Sequence, residues 1–161
     1  MTGSAIVPAA AAPPLNDLPV LHVLFKVDDA TYALPADIVL QMESFTGATF
    51  VPGAPSFVAG IIQLRGRVVP VIDLRARFGL PTRAPTLETR VVVGEQHDRT
   101  VALVADSARE VVRMTRAQLK PPPRLFDEGA RGFVNAVAQL GDRTVMVLDF
   151  AKIIGEELID V

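Results

Sequence analysis

The sequence contains no cysteine and no tryptophan, and its only histidines are His22 and His97. Without cysteine, disulfide bonds, thiolate chemistry and cysteine-ligated metal sites are excluded. A zinc site would need carboxylates for most of its ligands, because neither histidine has a second histidine at the usual spacing. We therefore predict no bound metal and no cofactor.

The chain also lacks an excess of charge of one sign and any long apolar run. It has 16 Lys and Arg residues and 18 Asp and Glu residues. The cations are dispersed along the sequence, which argues against a nucleic-acid surface. No apolar run reaches the roughly 20 residues that cross a bilayer. The Ala- and Pro-rich segment 5–15 has no Lys or Arg before it, unlike a signal peptide. These features predict a flexible tail over residues 1–18 and a cytoplasmic protein.

The hydrophobic residues, which make up 50% of the chain, recur in short alternating runs typical of β-strands. Four two-strand hairpins are predicted, with turns at Asp28-Asp29, Gly66, 96–98 and Gly141-Asp142. Short helical turns are expected at 75–78 and 150–154, each followed by a glycine. The pattern indicates an all-β fold with short helical turns.

The two halves of the chain repeat each other. Residues 60–79 align without gaps with residues 136–155, and agreement at polar positions argues against chance. The matched pairs include Gln63 with Gln139, Arg67 with Arg143, Asp73 with Asp149, and, upstream, 32–34 with 101–103. Several short strands with tight turns in each half predict two small tandem barrels, over about 20–88 and 89–159, rather than one sandwich.

No group of residues has the arrangement of a catalytic site, which requires convergent titratable side chains. Asp28 and Asp29 could form the acidic pair of a phospho-accepting domain, but they lie in a predicted hairpin turn without βα alternation. We interpret them as a solvated turn. Asp73 and Asp149 each precede a helical turn, which is the position of an N-cap. Both histidines are predicted to face solvent, one on a polar strand face and one in a turn.

The stretch 60–79 reads Gly-Ile-Ile-Gln-Leu-Arg-Gly-Arg-Val-Val-Pro-Val-Ile-Asp-Leu-Arg-Ala-Arg-Phe-Gly and resembles the signature of the CheW family. That signature has a Gly, two apolar residues, Asn-Leu-Arg-Gly, and an apolar-Pro-apolar-apolar-Asp-Leu run. The Pro-Gly-Ala-Pro at 52–55 fits the same pattern. The resemblance covers roughly residues 20–159 and implies a CheW-like domain over 19–161. Such a domain consists of two SH3-like five-stranded β-barrels packed along a hydrophobic seam.

The resemblance implies a non-catalytic adaptor that couples methyl-accepting chemoreceptors to a CheA-type histidine kinase in bacterial chemotaxis, a two-component signalling system. The implied partners are the regulatory domain of the kinase and the cytoplasmic tip of the receptor, so the adaptor would join membrane-associated receptor arrays without entering the membrane. A CheW-like adaptor of a surface-motility or biofilm pathway is an alternative that the sequence does not separate from the first. A further alternative is a small-ligand-binding or enzymatic β-barrel.

The resemblance assigns partner binding to one turn and its surroundings. Arg65 occupies the arginine of the Asn-Leu-Arg-Gly turn, which is associated with receptor and kinase coupling. Gln63 stands where the family has Asn, and Gln41 stands where it often has Glu, so that Glu43 could supply a partner for the arginine. The residues predicted to bind partners are Ile38, Val39, Leu40, Gln41, Glu43, Val58, Ile62, Leu64, Arg65 and Gly66. The apolar members are predicted to lie near a groove at the seam that receives a receptor helix.

We expect the purified protein neither to hydrolyse ATP nor to accept phosphate, because its sequence offers no acid–base pair, metal cluster or phosphate-binding loop. The measurement is transfer of radiolabel from a phosphorylated histidine kinase. Incorporation that is lost on replacing Asp28 or His97 would contradict the adaptor interpretation.

Overall fold

The computed structural model describes residues 14, 17–123 and 129–155, so most of the predicted tail over residues 1–18 lies outside the described residues. These ranges form β1 (Pro19–Val27), β2 (Ala30–Pro35), β3 (Val39–Ser44), β4 (Val58–Leu64), β5 (Arg67–Asp73), α1 (Leu74–Arg77), β6 (Arg90–Gln96), β7 (Arg99–Ala105), β8 (Ser107–Thr115), β9 (Val134–Leu140), β10 (Arg143–Leu148) and α2 (Phe150–Ile154), with 3₁₀ turns at Arg116–Gln118 and Gly129–Phe133. Among the described residues, no helix has the length and apolar character needed to span a bilayer.

The strands form two five-stranded sheets with the orders β8-β1-β2-β10-β9 and β3-β6-β7-β5-β4. Neighbours are antiparallel except for the pairs β2–β10 and β5–β7, which are parallel. A bridge between Lys120 and Val137 joins the segment after β8 to β9, and one between Thr49 and Ile61 joins the segment after β3 to β4. Each sheet therefore closes into a small barrel. We call them barrel A (β1, β2, β8, β9, β10) and barrel B (β3 to β7), which confirms the all-β, two-barrel prediction.

The barrels do not follow the predicted division of the chain at 20–88 and 89–159. The first repeat contains β1 to β5 and the second contains β6 to β10. Barrel A combines β1 and β2 of the first repeat with β8, β9 and β10 of the second, and barrel B combines the remaining strands. The chain crosses from barrel A to barrel B through residues 36–38 and returns through Asp106. This exchange arises because β3 pairs with β6 and β8 pairs with β1, so the third strand of each repeat joins the first hairpin of the other.

The repeat itself has a structural counterpart in the strand register. In the parallel pairs, Val147 lies opposite Ala33 and Val71 lies opposite Ala102, and these are equivalent positions of the two repeats. The strand ends are also fixed alike. The Asp149 N–H donates to the carbonyl oxygen of Phe133 at 2.7 Å, and the Asp73 N–H donates to that of Phe57 at 2.9 Å.

Strand alternation divides the apolar side chains between two barrel interiors and a larger layer between the barrels. In β1, for example, Leu24 points into barrel A, whereas Phe25 and Val27 point toward barrel B. We call the layer between the barrels the seam. Its buried members are Phe25, Val27, Tyr32, Leu34, Ile72, Leu74, Phe78, Val92, Val101, Leu103, Ala105, Val134, Leu148, Phe150, Ile153 and Ile154. Each large side chain buried there stabilises the fold by roughly 1.5–3 kcal/mol, so the seam is a main source of stability.

The two short helices lie at the seam and contact each other across it. The carboxylates of Asp73 and Asp149 accept hydrogen bonds from the first turns of α1 and α2, which confirms both predicted N-caps. The guanidinium carbon of Arg77 in α1 lies 3.8 Å from the ring centroid of Phe57 and 4.9 Å from that of Phe133. Its Nε donates to the carbonyl oxygen of Ile153 in α2 at 2.9 Å. One arginine thus joins repeat-equivalent parts of both barrels.

Ion pairs from the buried Arg75 to two partly exposed carboxylates join the barrels at a second place. Arg75 of α1, whose side chain is 8% exposed, donates to Asp106 at 2.7 Å and lies 3.5 Å from Asp28 in the β1–β2 turn. The Asp28 N–H also donates to the Asp106 carboxylate at 2.7 Å. Burial and the charge of Asp28 raise the pKa of Tyr32 to about 12. The sequence analysis interpreted the Asp28 turn as solvated. In the structure, this turn also connects barrel A to barrel B through Arg75 and Asp106.

The two histidines have different surroundings. His97 is exposed in the β6–β7 turn, as predicted. His22 is only 2% exposed, so the prediction that it faces solvent is wrong. It shares the inward face of β1 with Leu24, and its Nδ1 lies 3.1 Å from the carbonyl oxygen of Val20, which satisfies one ring nitrogen inside the barrel.

We predict that Gly94→Ala destabilises the protein by about 1–3 kcal/mol, the usual effect of overpacking. An added Cβ would lie 2.7 Å from Cε1 of Phe150 and 3.3 Å from Cγ2 of Ile38, inside the seam. The free energy of unfolding in urea measures the effect. Gly132→Ala is the control, since nothing lies within 4 Å of its added Cβ. Equal losses in the two variants would contradict close packing at the seam.

Candidate partner-binding site

The turn between β4 and β5 presents Arg65 in an unusual backbone conformation. Leu64 and Arg67 close the hairpin as a cross-strand pair. Between them Arg65 has φ 50° and Gly66 has φ 81°. Two-residue hairpins of this kind need positive φ and favour Asn, Asp or Gly, because a side chain is strained there. The repeat-equivalent residue in barrel A is Gly141, with φ 62°. Barrel B thus has an arginine where barrel A has the residue that the turn prefers.

Among the described residues, no hydrogen bond or ion pair to the Arg65 side chain compensates for this strain. Its side chain is exposed, and within the described part of the chain it forms neither a hydrogen bond nor an ion pair. Glu43 is likewise exposed and unpaired there, so the hypothetical pair between Arg65 and Glu43 is not formed. A strained residue that does not stabilise the fold is a candidate for binding something else.

The remaining predicted residues fall into two groups. Ile38, Val39 and Val58 pack against the seam. Buried side chains from α1 and α2 occupy that layer, so these three residues line a filled interface rather than a vacant groove for a helix. Ile62 and Leu64 instead pack against the interior of barrel B.

A groove of about 450 Å³ lies between the end of β3 and the β4 edge, where the Thr49–Ile61 bridge is the one strand-type pairing between the two sides among the described residues. It brings together Glu43, Ile62 and Leu64, three of the predicted residues, next to the Arg65 turn. A bridge of a single residue pair leaves the neighbouring edge groups of β4 without a partner strand. Such an edge can receive an extended segment of another chain.

The outermost strand of barrel B, β3, also exposes apolar side chains. Leu40 is 52% exposed and Met42 is 36% exposed, whereas Gln41 is half-buried opposite Val93. Exposed apolar residues on an edge strand commonly mark an interaction surface. Sequence reasoning included Leu40 and missed Met42. Period-two alternation from Leu40 would have identified it.

The charged and polar groups of the described residues do not form a metal site, since no three His, Asp or Glu side chains there lie together. Burial raises the pKa of Asp73, while hydrogen bonds from the α1 backbone oppose that effect. This carboxylate acts as an N-cap between the barrels and is not part of the Arg65 turn.

These features define a double SH3-like barrel domain with an exposed arginine turn and an apolar edge strand. Comparison with known proteins agrees with this class. The profile of the CheW-like domain matches residues 21–158. The chain therefore belongs to the CheW-like domain family.

Individual relatives cover most of the chain. The chemotaxis protein CheW of Rhizobium meliloti is 27% identical over 84% of this chain and 87% of its own length. That of Bacillus subtilis is 28% identical over 84% and 86%, and Protein FrzA of Myxococcus xanthus is 29% identical over 81% and 82%. The crystal structure of the scaffolding protein TtCheW from Thermoanaerobacter tengcongensis superposes with a TM-score of 0.80 at 28% identity, covering 88% of this chain and 99% of that one.

We predict that Arg65→Gly raises the free energy of unfolding by about 0.5–1 kcal/mol, since glycine adopts the positive φ without strain. The reciprocal change Gly141→Arg in the equivalent turn should lower it by a similar amount. Chemical denaturation measures both. A destabilised Arg65→Gly variant would show that the arginine supports the fold.

Proposed function

We propose that this protein is a non-catalytic adaptor that couples methyl-accepting chemoreceptors to a CheA-type histidine kinase in bacterial chemotaxis. Membership of the CheW-like family supports this class of function. The observation that carries the proposal is the strained and exposed Arg65, whose side chain has no hydrogen bond or ion pair with any residue that the structure describes, and which is better explained by binding than by stability.

Arg65 would be the main polar anchor for a partner. Its planar guanidinium can bind a carboxylate through two parallel hydrogen bonds, which gives both affinity and orientation. Gly66 keeps the turn tight, so the guanidinium projects from the barrel. A few anchors of this kind usually provide most of the binding energy of an interface.

The apolar contacts would come from the neighbouring strands. Leu40 and Met42 offer an apolar strip on β3, and the groove beside β4 contributes Ile62 and Leu64. Gln41 and Glu43 place polar groups on the same strand. Ile38, Val39 and Val58 would act indirectly, by packing β3 and β4 against the seam.

An adaptor must hold two partners in a fixed geometry, and the seam between the barrels supplies that rigidity. The buried side chains of the seam and the Arg77 contacts oppose relative motion of the two barrels. We propose that one partner is the regulatory domain of the kinase and the other is the cytoplasmic tip of the receptor. The protein would then be cytoplasmic and recruited to receptor arrays at the membrane.

An adaptor of a surface-motility or biofilm chemosensory pathway remains the alternative. The identity to Protein FrzA, 29%, lies within the 25–29% range of the chemotaxis proteins. Only the partners differ between the two proposals. A pull-down with cognate receptors and kinases of each pathway would therefore distinguish them.

The test is a reconstituted receptor–kinase–adaptor assay with Arg65→Ala and Arg65→Gly. Both variants should melt at or above the wild-type temperature but lose kinase activation at least roughly tenfold, since a hydrogen-bonded ion pair is lost. Arg116→Ala, another exposed arginine, is the matched control and should retain full activation. Full activation by both Arg65 variants would remove Arg65 from the site.

A further inference from the structure

The repeat places equivalent residues at one end of each barrel. A carboxylate that is hydrogen-bonded at this end of barrel B has no counterpart in barrel A. In barrel B, Glu95 lies directly opposite Thr100 on the neighbouring strand. The Thr100 hydroxyl donates to the Glu95 carboxylate at 2.7 Å and accepts a hydrogen bond from Arg67 at 3.2 Å. Arg67 and Glu95 also lie 3.9 Å apart. The Glu95 carboxylate, the Thr100 hydroxyl and the Arg67 guanidinium thus form one network of hydrogen bonds and an ion pair.

In barrel A the equivalent residues are Lys26, Thr31 and Arg143, so a lysine replaces the glutamate. Lys26 again lies directly opposite the threonine. Arg143 donates instead to the Glu110 carboxylate at 2.6 and 3.3 Å. That hydrogen bond lowers the pKa of Glu110, which keeps this pair charged. The hydroxyl, the cation and the guanidinium are all present, but the carboxylate between them is missing.

Thr31 shows the consequence. It is 9% exposed, and its hydroxyl makes no hydrogen bond with any described residue. Lys26 is exposed and has no ion-pair partner within the same part of the chain. Buried hydroxyls in proteins are normally hydrogen-bonded, so an unpaired one that lines an open groove indicates a ligand.

The groove has room for more than a single small acid. Its volume is about 690 Å³, and its lining residues include Lys26, Thr31, Arg143 and the half-buried Met146. This volume lies in the range of binding pockets and accommodates several residues of a peptide.

We propose that this end of barrel A binds the carboxylate of an acidic side chain in a peptide segment of a partner protein. The Thr31 hydroxyl donates to the carboxylate and Lys26 provides the positive charge, while Arg143 stays paired with Glu110. The bound carboxylate takes the place that Glu95 fills in barrel B. This proposal does not depend on the function proposed above, because it names a ligand chemistry rather than a receptor or kinase.

The other charges of the groove define its selectivity. Asp29, Glu88, Glu110 and Asp142 also line it. These carboxylates outnumber the two cations of the groove, so they weaken the binding of any anion and exclude a polyacidic segment. The site should therefore favour one glutamate or aspartate among uncharged neighbours.

The experiment titrates the full-length, isotope-labelled protein with the capped peptide Gly-Leu-Glu-Leu-Gly and with its Gln counterpart, followed by amide chemical shifts. The Glu peptide should shift amides of β1, β2 and the start of β10. The Gln peptide and free acetate should bind at least roughly tenfold more weakly, since a charged hydrogen bond is lost or the flanking contacts are absent.

Variants make the assignment specific. Thr31→Val should weaken the Glu peptide about tenfold without lowering the melting temperature, since no internal hydrogen bond is lost. Lys26→Glu should abolish binding by supplying the carboxylate from the chain itself. Glu110→Gln should tighten binding several-fold by releasing Arg143, a gain that misfolding cannot produce. Thr100→Val, the matched control in barrel B, should leave peptide binding unchanged.

Several results would overturn the proposal. Equal affinity for the Glu and Gln peptides, or for acetate and the Glu peptide, would remove the acidic segment as the ligand. Shifts centred on barrel B, or no binding at millimolar peptide, would remove the site. Unchanged affinity in a folded Thr31→Val variant together with an unchanged Glu110→Gln variant would remove these residues from it.

Discussion

The seam between the barrels is the interaction on which the rest of this structure depends. Each barrel is built from both repeats, so its strands cannot pair correctly until the two halves of the chain have come together. The seam then buries side chains from both barrels, and Arg77 stacks between Phe57 and Phe133 at equivalent places in the repeat. Because of this layer, surfaces on different barrels keep a fixed relation to each other, which is the physical requirement for an adaptor.

Local sequence patterns predicted the local structure well. The hairpin turns, the two N-caps and the short helices all follow from residues that are neighbours in sequence, such as Asp73 before α1. The repeat was also visible, because its polar matches occupy structurally equivalent positions. These features depend on backbone geometry within a few residues, which turn and cap residues encode directly.

Features that depend on long-range pairing were not predictable in the same way. The exchange of strands between the repeats changes no local pattern, since β3 has the same alternation whether it pairs with β6 or with its own hairpin. The burial of His22 and the role of Asp28 in binding Arg75 and Asp106 follow from that pairing. The site residues show the same limit. The arginine turn was found by family resemblance, but the sequence did not divide the apolar residues between the seam and the barrel B groove.

Differences between the repeats proved more informative about function than either repeat alone. The two repeats share a backbone, so equivalent positions can be compared directly. Arg65 occupies the turn position at which barrel A has Gly141, and Lys26 occupies the strand position at which barrel B has Glu95, which accepts a hydrogen bond from Thr100. In both cases barrel stability favours the residue in the other repeat, so the substitution is best explained by binding. The two positions lie on different barrels, which is consistent with a protein that engages more than one partner.

As the proposed adaptor, one rigid chain would bind a chemoreceptor tip and a kinase regulatory domain at the same time. Sedimentation velocity of the three purified components measures whether it does. We expect a ternary complex with one adaptor per kinase domain, in which neither partner displaces the other. Mutually exclusive binding, or failure to bind either partner, would contradict it.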